Sequence, residues 1–240
     1  MQPASFHHHD VAGDPSFERL AALLLGAGAL GVIVTSMFYV LAGPAAALPT
    51  GSFDMAVARA ASAASAGWMR AAGLAGMPSD VLLAVGALMM AAMKRGQGAG
   101  VAVVGWLTMA IGGALFIVVD AMVAFVLPAM AAMQGGESGY AAARVLFNVL
   151  FAIGGWATGA GALAAAWSPQ WPEFRSRTVL WLMRAAGGIG IVANTAWLLG
   201  LPGARLMGPG IALAAVALLA LSVTLLREER DTARMAASRA

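Results

Sequence analysis

Six stretches of the chain are apolar almost from end to end, and short polar or Gly/Pro-rich segments separate them. The first uncharged run covers residues 20–48 and is followed by Pro49, Thr50 and Gly51. A helix needs about 20 apolar residues to cross a bilayer, so this run suffices. It also exceeds the ~7–15 apolar residues of a secretory signal core, which predicts a retained helix. Its expected extent is residues 17–41, opened by Asp14-Pro15-Ser16.

The next segment, residues 52–70, is Ala-rich but carries Asp54, Arg59 and Arg70. It predicts a short helix outside the bilayer core, on the extracytoplasmic surface. A second spanning helix is expected over residues 71–93. There Pro78-Ser79-Asp80 allows two readings, a kinked helix from residue 71 or a short tilted one capped by Ser79. Lys94 and Arg95 then lead into a Gly-rich turn.

Four more spans follow, over about residues 99–127, 140–167, 178–201 and 206–226. Pro128 with the stretch around Gly135-Gly136, Ser168-Pro169-Gln170-Trp171-Pro172, and Pro202-Gly203 separate them. The predicted fold is therefore all-α, a polytopic membrane bundle of six transmembrane helices. Residues 1–16 form an N-terminal tail, 17–226 the membrane domain, and 227–240 a C-terminal tail with a frayed helical start.

Alternate ends of the spans differ in positive charge. Nine Lys/Arg residues fall on the side of the termini, among them Arg19, Lys94, Arg95, Arg177 and Arg227, and four fall on the other. Cytoplasmic loops carry the Lys/Arg excess, so both termini are expected in the cytoplasm. Trp167, Trp171 and Trp181 then fall near the inner interface, with Trp68 and Trp197 near the outer one. The expected location is the cell inner membrane, with lipid as the main partner.

Composition agrees. Hydrophobic residues make up 61% and charged residues 10%, with mean hydropathy +0.83. Soluble domains carry about 25% charged residues. The pI near 10.2 reflects a net charge of only +3, which suits membrane orientation and gives no reason to expect nucleic acid. The chain has no Cys, so disulfides, thiolate metal sites and Cys nucleophiles are excluded. Its three His are consecutive, His7 to His9, so no apolar span can use a His base or bis-His haem. In a floppy tail those His lack a preformed metal geometry, and no cofactor is expected. The single Lys, Lys94, ends an apolar run and leaves none for a Schiff base within a span.

Fifty-seven Ala and 30 Gly point to close helix packing, because lipid competes with Leu but not with backbone contact. Small residues recur four apart at Ala27/Gly31, Gly155/Gly159, Ala157/Gly161 and Ala186/Gly190. At about 100° per residue, Arg144, Asn148, Gly155 and Gly159 share one stripe. Asp120 shares one with Phe116, Gly113 and Met109, and Asn194 shares one with Gly187 and Gly190. Asp80, Asp120, Arg144, Asn148 and Asn194 are thus expected to converge in the outer leaflet. They form either an internal salt bridge, Arg144 with Asp120 or Asp80, or a small outward-facing ligand pocket. Arg184 is expected to snorkel to the inner interface.

The Ala-rich segment 54–69, the Asp80-Val81-Leu82-Leu83 sequence and the Gly-rich fifth helix resemble uncharacterised bacterial six-helix integral membrane proteins of a domain-of-unknown-function type. The resemblance implies the six-helix fold and no activity. The sequence therefore supports a membrane protein that binds a small ligand or lipid in the polar pocket. The alternative is a non-enzymatic interaction, regulatory or complex-stabilising subunit with a partner membrane protein. An enzyme is the weakest reading. No His reaches a span, and aspartyl chemistry would need Asp80 and Asp120 brought together.

Overall fold

The computed structural model describes residues 15–49, 54–97, 99–167, 176–201 and 205–237. Among these, all regular structure is helical: α1 (Pro15–Ala42), α2 (Pro44–Ala47), α3 (Met55–Ala64), α4 (Ala66–Gly96), α5 (Gly100–Ala121), a π turn (Met122–Val126), α6 (Leu127–Ala132), α7 (Glu137–Trp167), α8 (Arg177–Leu198) and α9 (Met207–Ala237). Six helices are long and apolar enough to cross a membrane: Ser16–Ala42, Ala66–Arg95, Gly100–Ala132, Glu137–Trp167, Arg177–Leu198 and Met207–Glu228. The tri-histidine, the Ser168 to Pro172 breaker, nearly all of the N-terminal tail and the last three residues lie outside the described residues.

The second span differs from both sequence readings. It is one helix from Ala66, continuous through Pro78. Its first turns, with Trp68 and Arg70, were expected in the surface segment. Ala is the best helix former, and it carries the helix past the residues that lower the local hydropathy. Pro78 has no N–H to give the Leu74 carbonyl, and the next residue, Ser79, donates its hydroxyl to the Ala75 carbonyl at 2.6 Å. The third span meets its own proline differently. Pro128 cannot donate to the carbonyl of Ala124, and the helix widens into the π turn just before it, where the Leu127 N–H bonds the Met122 carbonyl.

Each span packs on the next in chain order, α1 on α4, α4 on α5, α5 on α7, α7 on α8 and α8 on α9, and α9 returns to α1. Contacts across this ring are sparse, so the six helices enclose a space. Small residues set every seam. A Cβ added at Gly28 would lie 2.9 Å from the Ser79 carbonyl on α4. At Gly161 it would lie 2.6 Å from the Gly105 carbonyl on α5, and at Gly159 it would lie 3.0 Å from the Gly187 carbonyl on α8. The Ser222 hydroxyl closes the ring by donating to the Ala22 carbonyl at 2.6 Å. Leu23, Leu30, Val104 and Ile111 point outward, the distribution expected of a bundle solvated by lipid.

The two ends of the ring differ. At the end bearing the termini, Arg184 donates to the Ala166 carbonyl at 3.2 Å and lies over the rings of Trp167 and Trp181. It is held by the end of α7 as well as by aromatic faces. At the opposite end the chain between α1 and α4 folds into a cap. Gly43, at φ 86°, takes a backbone conformation that suits glycine and turns the chain into α2 with Pro44 at its first position. Asp54 caps α3 by accepting from the Ala56 and Val57 amides. Ala46, Ala47, Ala58 and Ser62 are fully buried, so the cap is packed down rather than loosely lying on the surface.

A central cavity with two carboxyls and a capped end

The ring encloses a cavity of about 430 Å³ between α1, α4, α5, α7, α8 and α9. Its walls are mostly apolar, with Met109, Phe116, Phe151 and Leu218 prominent. Asp80, Asp120 and Asn194 all line it. These three of the five sequence-predicted site residues come together. Asp80 lies near the middle of α4, not at the outer end of its helix as expected, because α4 begins 14 residues before it.

Asp80 and Asp120 are both almost fully buried and interact directly. Their approach depends on Gly76, one turn before Asp80. The Asp120 carboxyl occupies the space that a Gly76 side chain would need. Tyr39 donates its hydroxyl to Asp120 Oδ1 at 2.7 Å. Asn194 donates its amide to the Gly190 carbonyl at 2.7 Å, while its Oδ1 is buried without a partner. Thr35, one turn before Tyr39 on α1, also lines the cavity, and its hydroxyl is buried and unpartnered. Periodicity singled out neither Thr35 nor Tyr39. The available signal was their four-residue spacing within an otherwise apolar run.

Arg144 and Asn148 do not line the cavity, and the expected salt bridge of Arg144 with Asp120 or Asp80 is absent. The fully buried Arg144 guanidinium instead donates to three carbonyls of the cap, Ala45 at 3.2 Å, Leu48 at 2.7 Å and Ala46. The physical reason is the re-entrant α2. A helix leaves its last carbonyls unsatisfied, and these carry partial negative charge that a guanidinium can span. Two more groups on the same face of α7 hold the cap. Glu137 pairs with Arg59, and the Tyr140 hydroxyl hydrogen-bonds Ser62 at 2.8 Å. Positions 137, 140 and 144 recur at helical spacing, so the first two turns of α7 form a polar seam under the cap. Leu48 belongs to both regions, accepting from Arg144 while lining the cavity.

Tyr39→Phe should leave the buried Asp120 oxygen without its donor. A buried acceptor left unsatisfied costs about 1–3 kcal/mol, so a clear fall in the midpoint of thermal unfolding in detergent is expected.

No family model matches this chain, and neither a curated protein nor a solved structure does. The resemblance to bacterial six-helix proteins therefore rests on the six apolar helices alone.

Proposed function

We propose that this is a multi-pass inner-membrane protein that binds a small amphiphilic molecule in the central cavity. One observation carries the reading: a cavity of about 430 Å³, apolar over most of its wall, holds a few convergent polar groups. That combination of size and lining is typical of small-molecule sites. The cavity reaches the outside at the α1/α9 seam. Ser36 and Val40 on α1 and Gly208, Pro209 and Ala212 on α9 line it while remaining partly or fully exposed. In a membrane this opening faces lipid, so the guest reaches the site from the bilayer.

A second reading, two-carboxylate hydrolysis, draws on the contact between Asp80 and Asp120. The remaining lining favours binding. The Tyr39 hydroxyl is given to Asp120 and one N–H of the Asn194 amide to a carbonyl, which leaves few donors to stabilise a developing oxyanion.

Native mass spectrometry of protein extracted from membranes tests the reading. Wild type should retain a small-molecule adduct that Ala215→Phe, which fills the cavity from α9, loses while keeping its unfolding midpoint. Equal occupancy in both proteins, or none in wild type, would remove the cavity as the binding site.

The nine-to-four Lys/Arg distribution supports cytoplasmic termini. The chain has no Cys, so single-cysteine variants report topology directly. In intact cells a membrane-impermeant maleimide should label Ala63→Cys on α3, and label Ala240→Cys only after permeabilisation. The reverse pattern would invert the topology.

A further inference from the structure

The cavity is selective in the polarity of what it offers. Three of its donors are engaged inside the protein: the Ser36 hydroxyl on the Val32 carbonyl at 2.8 Å, the Tyr39 hydroxyl on Asp120, and one N–H of the Asn194 amide on Gly190. Its acceptors remain available. The Asn194 side-chain oxygen and the Thr35 hydroxyl are buried without partners, and the carboxyls of Asp80 and Asp120 stand beside them on the cavity wall. No Lys, Arg or His is among the lining residues. Arg144, the buried cation at the capped end, is committed to backbone carbonyls.

Two carboxyls buried together without a cation are costly, and a positive guest offsets that cost. Around them lies a wall of Phe116, Phe151, Met109 and Leu218. The two phenylalanine rings meet edge to face at 5.5 Å. An alkyl or aromatic body packs against such a wall, and aromatic faces also attract cations.

Resting on the cavity reading above, we propose that the guest is an organic amine. Its ammonium group sits between Asp80 and Asp120 within reach of the Asn194 oxygen, and its apolar body fills the space toward Phe116 and Phe151. An anionic guest is disfavoured because it would meet two carboxyls and no available cation. A neutral guest gains the apolar contacts but not the charge-assisted hydrogen bonds.

Three probes of one shape separate the terms: 4-phenylbutylamine, 4-phenylbutanol and 4-phenylbutyrate, each titrated against full-length protein in detergent by calorimetry. The amine should bind about tenfold or more tightly than the alcohol, since one charge-assisted bond is worth at least that factor. The butyrate should not bind measurably. Asp80→Asn and Asp120→Asn should each remove most of the amine's advantage over the alcohol. Continued binding of the alcohol reports that each variant has kept its cavity, and Asp80→Asn leaves the Tyr39 contact in place. If amine and alcohol bind alike and Ala215→Phe abolishes both, the cavity reading stands and the amine assignment falls. If the amine does not bind, or binds the two Asn variants as it binds wild type, the assignment is overturned. Absence of binding by all three probes, together with no native adduct, overturns the cavity reading as well.

Discussion

Arg144→Met is expected to lower stability by about 3–5 kcal/mol, the range for removing one member of a buried charged interaction. The side chain is fully buried, and three carbonyls accept from it. Methionine fills much of the volume but donates nothing, so the carbonyls of Ala45 and Leu48 lose their side-chain donor away from water, and that of Ala46 keeps only the Ser62 hydroxyl at 3.4 Å. Each orphaned group costs about 1–3 kcal/mol. Arg144→Lys should fall between wild type and Met, because one ammonium cannot span three carbonyls as a planar guanidinium does. Denaturation in detergent micelles measures both.

A second expectation separates this capping role from the salt bridge that the sequence suggests. In a double-mutant cycle, Arg144→Met and Asp120→Asn should be additive, since Asp120 bonds Tyr39 and interacts with Asp80. Membrane polar pairs that do interact couple by about 0.6 kcal/mol on average. A coupling well above that would mean that Arg144 serves the carboxyls rather than the cap. Because Leu48 accepts from Arg144 and also lines the cavity, the Met variant should also release a bound guest faster than wild type.

The contrast between Arg144 and Asp120 shows what a sequence pattern can and cannot locate. Stripe periodicity placed Met109, Gly113, Phe116 and Asp120 on one face, and all four line the cavity. It placed Arg144 and Asn148 with Gly155 and Gly159, and all four are buried. The direction around the helix axis was therefore legible. What sits opposite each turn was not. Gly155 and Gly159 reach the cavity, whereas Arg144, about three to four turns earlier, meets the cap. Its partners are backbone carbonyls of a four-residue helix, and no side-chain pattern marks these as acceptors. Depth failed at Asp80 for a related reason, because hydropathy alone does not mark where an Ala-rich helix begins. The seam between α1 and α9 was equally hidden, since it joins the first span to the last and no local spacing encodes it.

The glycines at the ring seams give the other large expected effect, and one substitution tested at two places isolates its cause. Gly161→Ala adds a methyl 2.6 Å from the Gly105 carbonyl oxygen and 2.7 Å from the Met109 amide nitrogen, both backbone atoms of α5. Neither can swing aside as a side chain could, so α5 and α7 must separate along their seam. Overpacking of this kind costs about 1–3 kcal/mol. Moving the helices apart also loosens Met109, which is part of the cavity wall. Gly188→Ala makes the same chemical change on α8, where nothing lies within 4 Å of the new methyl. Ala is favoured over Gly within a helix by about 0.5–1 kcal/mol, so this variant should unfold at or slightly above the wild-type midpoint. Opposite signs would tie stability to backbone approach, the contact for which lipid cannot compete. Equal effects at both sites would mean that the seams are looser than this geometry, and that the large outward-facing side chains hold the ring together.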